Sequence, residues 1–195
     1  MLKKYIKNHQ YLLLFLIVLF IIGIIIGIVL YNVMPAVNQT SLTINLDNLK
    51  DQILNNHLSN IYPHLILLCL ISILSLTIVG YFIGLFYLFY IGMSIGFTST
   101  FLLIKYHLKG FIFTILYNII FKIIFIVILV FILIKLYDIV RNIIGLIIYK
   151  KNDALVNNFR HNYLSIITLI FINIVADTIL SFSSTFILKI ITSML

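Results

Sequence analysis

Residues 11–31 form one apolar stretch without a single charged side chain, and that feature decides most of what this chain can become. In lipid every backbone N–H and C=O must find a partner within the protein, so only a helix or a closed barrel can carry such a stretch across a bilayer. A helix rising 1.5 Å per residue needs about 20 mainly apolar residues to cross a hydrocarbon core roughly 30 Å thick. Residues 11–31 meet that length, and Pro35 just beyond suits a helix stop. Comparable stretches recur along the chain. With 63% hydrophobic and 9% charged residues, against roughly 45–50% and about 25% in soluble domains, a water-soluble fold could not cover the apolar surface. The prediction is an all-α membrane protein forming one domain over residues 1–195. It comprises about five transmembrane helices at 11–31, 64–79, 83–104, 111–136 and 162–188, one extracytoplasmic amphipathic helix and one interfacial helix.

Three lysines, Lys3, Lys4 and Lys7, precede the first stretch as they would in a signal peptide. The stretch is longer than a typical signal core, however, and Asn32-Val33-Met34-Pro35 offers no small-x-small cleavage site, so a retained first span is expected. Residues 38–63 are the only long polar region. Within it Leu42, Leu46, Leu49 and Ile53 recur at helical spacing among Asn45, Asp47, Asn48, Lys50 and Asp51, which predicts an amphipathic helix over about 42–58 and a candidate docking face for a partner. The apolar run 64–104 is too long for one span and too short for three. Gly80 and Gly84, with the aromatic cluster over 81–90, mark the expected break, leaving a short span at 64–79 for which a re-entrant path is the alternative. Residues 105–110 read as a polar turn. Residues 137–149 carry Asp138, Arg141 and Asn142 on one side and read as a helix lying in the interface.

Orientation follows from the basic residues, which collect on the cytoplasmic side. An N-terminus inside gathers Lys3, Lys4, Lys7, Lys135, Arg141, Lys150, Lys151 and Arg160 in the cytoplasm and leaves Lys50, Lys105, Lys109 and Lys189 outside. The expected location is therefore the bacterial cell membrane, multi-pass, with the C-terminus extracytoplasmic. The same placement answers the formal charge of +8: the cations flank spans and meet lipid headgroups, so membrane lipids and not nucleic acid are the expected partners.

Two constellations carry chemistry. Lys122 and Asp177 each lie eleven residues inside their predicted outer span ends, Phe111 and Leu188, about 17 Å deep at helical rise. A lone charge at that depth costs at least about 2.5–3.5 kcal/mol on insertion scales, so the two are expected to pair, with Asn118 and Asn173 one turn from each. A structural clamp is the plainer role for such a pair, and a proton or ion relay the sharper one. The second constellation is Gly80 and Gly84, then Gly92, Gly96 and Thr100, each four apart, with Gly23 and Gly27 in the first span. That spacing lets helix backbones approach closely in lipid, and a protein partner or a second copy of the chain is the less economical use of it.

Signals of catalysis are missing from the sequence. His9, His57, His64, His107 and His161 are scattered with no pair at metal-ligand spacing, acidic residues number five, and no nucleophile elbow or phosphate loop occurs. Cys69 is the only cysteine and reads as a small buried hydrophobe. The expectation is a protein that is not an enzyme and holds no cofactor and no metal.

The stretch Ile91-Gly92-Met93-Ser94-Ile95-Gly96-Phe97-Thr98-Ser99-Thr100-Phe101-Leu102, followed by Lys109-Gly110-Phe111, resembles the stage II sporulation protein M family. In that family a glycine-rich span is followed by a short turn and a Gly-Phe opening the next span. The layout of a basic N-terminus, one span, an outer helix and a cluster of four spans is similar too, although Thr100 stands where relatives carry a third glycine. The resemblance implies a membrane scaffold of the sporulation engulfment machinery, holding an amidase and a lytic transglycosylase that degrade peptidoglycan at the septal membrane. A small transporter or permease subunit, with Lys122 and Asp177 as coupling groups, is the rival expectation. A membrane-bound regulator docking through residues 38–63 is a third.

Overall fold

The computed structural model describes residues 9–35, 78–149, 160–176 and 178–179, and these are all-helical apart from short ends. The predicted outer helix with Leu42, Leu46, Leu49 and Ile53, most of the predicted 64–79 span, Asp177 and residues 180–188 lie outside the described residues.

Helix α1 runs from Gln10 to Val33. Its first turn closes with the Leu13 amide donating to the His9 carbonyl at 2.9 Å. Its end is set by Pro35, whose ring clashes with a helical conformation at the preceding residue. Met34 accordingly turns extended, with φ −67° and ψ 135°. Helix α2 spans Ile78–Tyr117 but is two helical limbs, because His107 takes φ 53° and ψ −138° and reverses the chain. The reversal sets Gly110 against the Leu102 carbonyl, so residues 78–106 and 108–117 run side by side in opposite directions. The second limb passes through a π-helical turn, Asn118–Lys122, into α3, Ile123–Tyr149. A shorter apolar helix, α4, covers Arg160–Ala176.

Two expectations need correction. The helix is unbroken from Ile78 to Tyr106, so Gly80 and Gly84 do not divide two spans. Both are buried, and Gly84 accommodates the side chain of Leu133 from α3. In a membrane helix the four-residue glycine spacing makes room for a neighbour instead of ending the element. Nor is there a separate interfacial helix at 137–149, because α3 continues through Asp138, Arg141 and Asn142 to Tyr149. The charges there mark the end of one long helix. The true reversal lies in the polar 105–110 turn.

Three of the described helices are long and apolar enough to cross a membrane, over Gln10–Val33, Ile78–Ile112 and Ile123–Gly145. They share one core. The first limb of α2 lies between α1 and α3, antiparallel to α3: the Tyr81 ring stacks obliquely on Tyr137 at 6.2 Å, and Tyr87 meets Phe125 edge-on at 5.9 Å. Leu88 of α2, Leu129, Ile132, Leu133, Leu136 and Ile139 of α3 and Ile166 of α4 are fully buried. Half of the α3 span is enclosed against 17% of the α1 span, so among the three described spans α3 is the most enclosed and α1 the least. The large apolar side chains left exposed on α1, Leu14, Ile17, Ile21 and Ile25 among them, form the surface a lipid solvent demands.

Candidate functional site

A seam of glycines brings α1 and the first limb of α2 into backbone contact. On α1, Gly23 lies on the Phe89 carbonyl and Gly27 on the Met93 carbonyl and Phe97 amide. On α2, Gly92 lies on the Phe20 carbonyl and Gly96 on the Ile24 carbonyl. Each glycine pair thus fits against the backbone of the other helix. Contacts advance together along both chains, from Phe20 with Gly92 to Tyr31, whose ring meets Phe97 at 5.4 Å and Phe101 at 5.9 Å. The two helices are therefore parallel. Thr100 extends the motif without adding a polar demand, because its hydroxyl donates to the Gly96 carbonyl at 3.0 Å. Thr98 and Ser99 likewise satisfy their hydroxyls on carbonyls of their own helix.

The π turn is the polar centre of the bundle. Asn118 opens it and Lys122 closes it. A π turn holds one more residue than an α turn and recurs at functional positions. The Asn118 Oδ1 is buried and accepts no hydrogen bond among the described residues. Lys122 is half-buried, and Asn173 on α4 is fully buried. One turn before Asn118, buried Thr114 donates to the Gly110 carbonyl at 2.8 Å. Lys122 stands fourteen residues after Leu108 and sixteen before Asp138, about 21 and 24 Å at helical rise. It therefore sits about midway between the turn at 105–110 and the level of Asp138. Its expected partner Asp177 lies outside the described residues, so the pair itself is not placed.

A second polar cluster, which the sequence reading missed, closes one end of the bundle. His9 Nε2 and Asp138 Oδ1 meet at 3.0 Å, with the side chains only 14% and 20% exposed, and tie the start of α1 to α3. Lys135 donates to Asn162 Oδ1 at 3.4 Å, tying α3 to the start of α4. Both residues of the first contact lie just where basic residues flank predicted spans. A similar position at a span end was the available signal, and the separation of 129 positions hides the pair from any local pattern. Among the described residues no three His, Cys, Asp or Glu side chains gather closely enough to hold a metal ion.

The chain matches no family model, no curated protein and no solved structure.

Proposed function

We propose that this protein is a non-enzymatic membrane scaffold of the sporulation engulfment machinery, anchoring peptidoglycan-degrading partners, an amidase and a lytic transglycosylase, at the septal membrane. The observation that carries the reading is the glycine seam. The residues on which the family resemblance rests, Gly92 to Phe101 and the Lys109-Gly110-Phe111 turn, are those that bring backbones together in this fold, Gly92 and Gly96 against α1 and Gly110 against Leu102. A shared signature used for rigid assembly favours a role in holding partners, because a fixed platform raises the effective concentration of what it holds. The enclosed core of Leu, Ile and Phe residues agrees with a wall rather than a path.

The proposed topology has five crossings, with the N-terminus in the cytoplasm. It is supported by the parallel seam: two neighbouring spans that point the same way require the chain between them to return across the bilayer. The basic residues at 3–7, 135–160 and the His9–Asp138 end then share the cytoplasmic side.

A transporter or permease subunit is the alternative, favoured by one observation, the cation Lys122 and the buried Asn118 amide oxygen in the π turn within an apolar helical run. Co-purification from sporulating cells separates the two. Recovery of cell-wall hydrolases with the full-length protein is the expected result. Their absence, together with solute flux into vesicles carrying the purified protein, would favour transport and refute the scaffold.

A further inference from the structure

The reversal at His107 brings two cations to one end of the bundle. Gly110 lies on the Leu102 carbonyl, so Lys109 on the second limb of α2 stands level with Leu103. Lys105 on the first limb stands two residues higher, about 3 Å at helical rise. Lys109 is exposed and Lys105 half-buried. The Lys105 ammonium lies 5.3 Å from the centre of the Tyr106 ring, a cation–π distance. The only acidic side chain among the described residues, Asp138, sits at the opposite end beside His9. Beneath the cations comes an apolar collar, with Leu103 and Ile104 exposed on one limb and Phe111 and Ile112 on the other. The collar is level with the end of α1, because the Tyr31 ring meets Phe97 and Phe101 and α1 stops two residues later at Val33. Cations and a tyrosine capping an apolar collar, at the height where a spanning helix ends, are what a boundary between hydrocarbon and headgroups requires.

We propose that this turn and its collar bind an anionic phospholipid such as phosphatidylglycerol, with Lys105 and Lys109 donating to the headgroup phosphate and the collar against the acyl chains. Any lysine at a span end meets headgroups. The fold adds two cations on adjacent limbs at nearly one height, with apolar side chains directly below, so both parts of a lipid find complementary chemistry. A zwitterionic headgroup brings its own cation and an anionic one does not, so a cationic turn selects the anionic lipid. The site stands apart from the scaffold reading and holds whichever side of the bilayer the turn faces. Under the proposed topology it lies in the extracytoplasmic leaflet, where the bias that collects lysines in the cytoplasm does not account for the pair.

The chain has no tryptophan, so Tyr106→Trp places a single fluorescent reporter at the turn and keeps a ring beside Lys105. The full-length variant is reconstituted in vesicles of phosphatidylcholine and phosphatidylglycerol, with the acyl chains of one lipid or the other brominated to quench the indole. Phosphatidylglycerol should be preferred at the reporter by up to about 25-fold, about fivefold for each lysine near an anionic headgroup. Lys109→Gln alone should cut the preference about fivefold. Lys105→Gln with Lys109→Gln should abolish it, and Lys105→Arg with Lys109→Arg should retain it. Because Lys109 is exposed, the single change carries the test even where the double variant fails to accumulate. A second reporter, Tyr11→Trp at the far end of α1, should show quenching that responds to neither lysine change. Equal quenching by the two lipids at Tyr106→Trp overturns the proposal and leaves the cations to an acidic protein segment. A preference that survives the glutamine changes, or that falls equally at both reporters, overturns it too. Soluble glycerol phosphate that removes the preference at constant ionic strength would assign the cations to a free anion, and likewise sinks the lipid site.

Discussion

Replacing Gly96 by alanine tests the glycine seam directly. A methyl group built on Gly96 runs into the Ile24 carbonyl oxygen and comes to 2.9 Å from the carbonyl carbon and 3.0 Å from the Cα of the same residue. Ordinary contact begins near 3.4 Å, and the obstacle is backbone, which cannot rotate away as a side chain would. The helices must separate or slide by several tenths of an ångström, and the loss extends along the seam because Gly23, Gly27 and Gly92 meet backbone as well. Overpacking of this kind costs about 1–3 kcal/mol, equivalent to about a 5- to 150-fold loss in the ratio of folded to unfolded protein. The control is Gly145, where an added methyl meets nothing within 4 Å. Gly145→Ala should be neutral or stabilising by up to about 1 kcal/mol, since alanine is the better helix former. Reversible unfolding of the full-length protein in mixed micelles reads both. Gly27→Ala combined with Gly96→Ala should cost less than the sum of the single changes, because a seam once opened has room for the second methyl. Equal effects at Gly96 and Gly145, or strict additivity across the seam, would refute the reasoning.

Three further outcomes follow from the polar positions. Lys122→Met should be tolerated far better in an Asp177→Asn background than alone, as judged by membrane accumulation, because the single change strands an anion in lipid; equal damage from single and double changes would exclude the pair. Asp138→Asn should destabilise the fold by about 1–3 kcal/mol, the worth of a largely buried hydrogen bond to a charged group, and His9→Cys with Asp138→Cys should cross-link rapidly in a Cys69→Ala background. His107→Gly should stabilise by about 1 kcal/mol in the same unfolding assay, since His107 holds φ 53° with ψ −138°, a region that glycine enters without side-chain strain.

How much of this was legible in the chain depends on the length scale of the signal. The bilayer thickness imposes a helix length, so α1 could be read from residues 11–31 almost to its ends, and the turn at 105–110 from its loss of apolar character. The glycine spacing was equally readable, but it is symmetric along a helix, so the parallel sense of α1 and α2 could not be read from it. Gly80 and Gly84 were misread as a break because glycine ends helices in water, where an exposed backbone is cheap to unwind. Inside an apolar bundle the same residue is a gap, here filled by Leu133, and the helix continues because unwinding would strand its amides.

The candidate site divides along the same line. Lys122, Asn118 and Asn173 stand out in sequence because polar groups are expensive within an apolar stretch, and two of the three prove to have buried side-chain or amide atoms. His9 and Asp138 did not stand out, because near a span end water makes charges cheap and therefore common. Yet it is this cheap pair that the fold encloses, at 3.0 Å and at most one-fifth exposed. The enclosure arises because α3 does not stop at the expected boundary but carries Asp138 up beside the first turn of α1. A charge at the edge of an apolar run thus acquires its role from how far the neighbouring helix extends, which is a property of the assembled bundle and of no single segment. The glycine seam and the His9–Asp138 contact then fix α1 at two levels, one by backbone proximity and one by a side-chain hydrogen bond. Among the described residues α1 is thus held to two neighbours, to α2 along the seam and to α3 through His9 and Asp138.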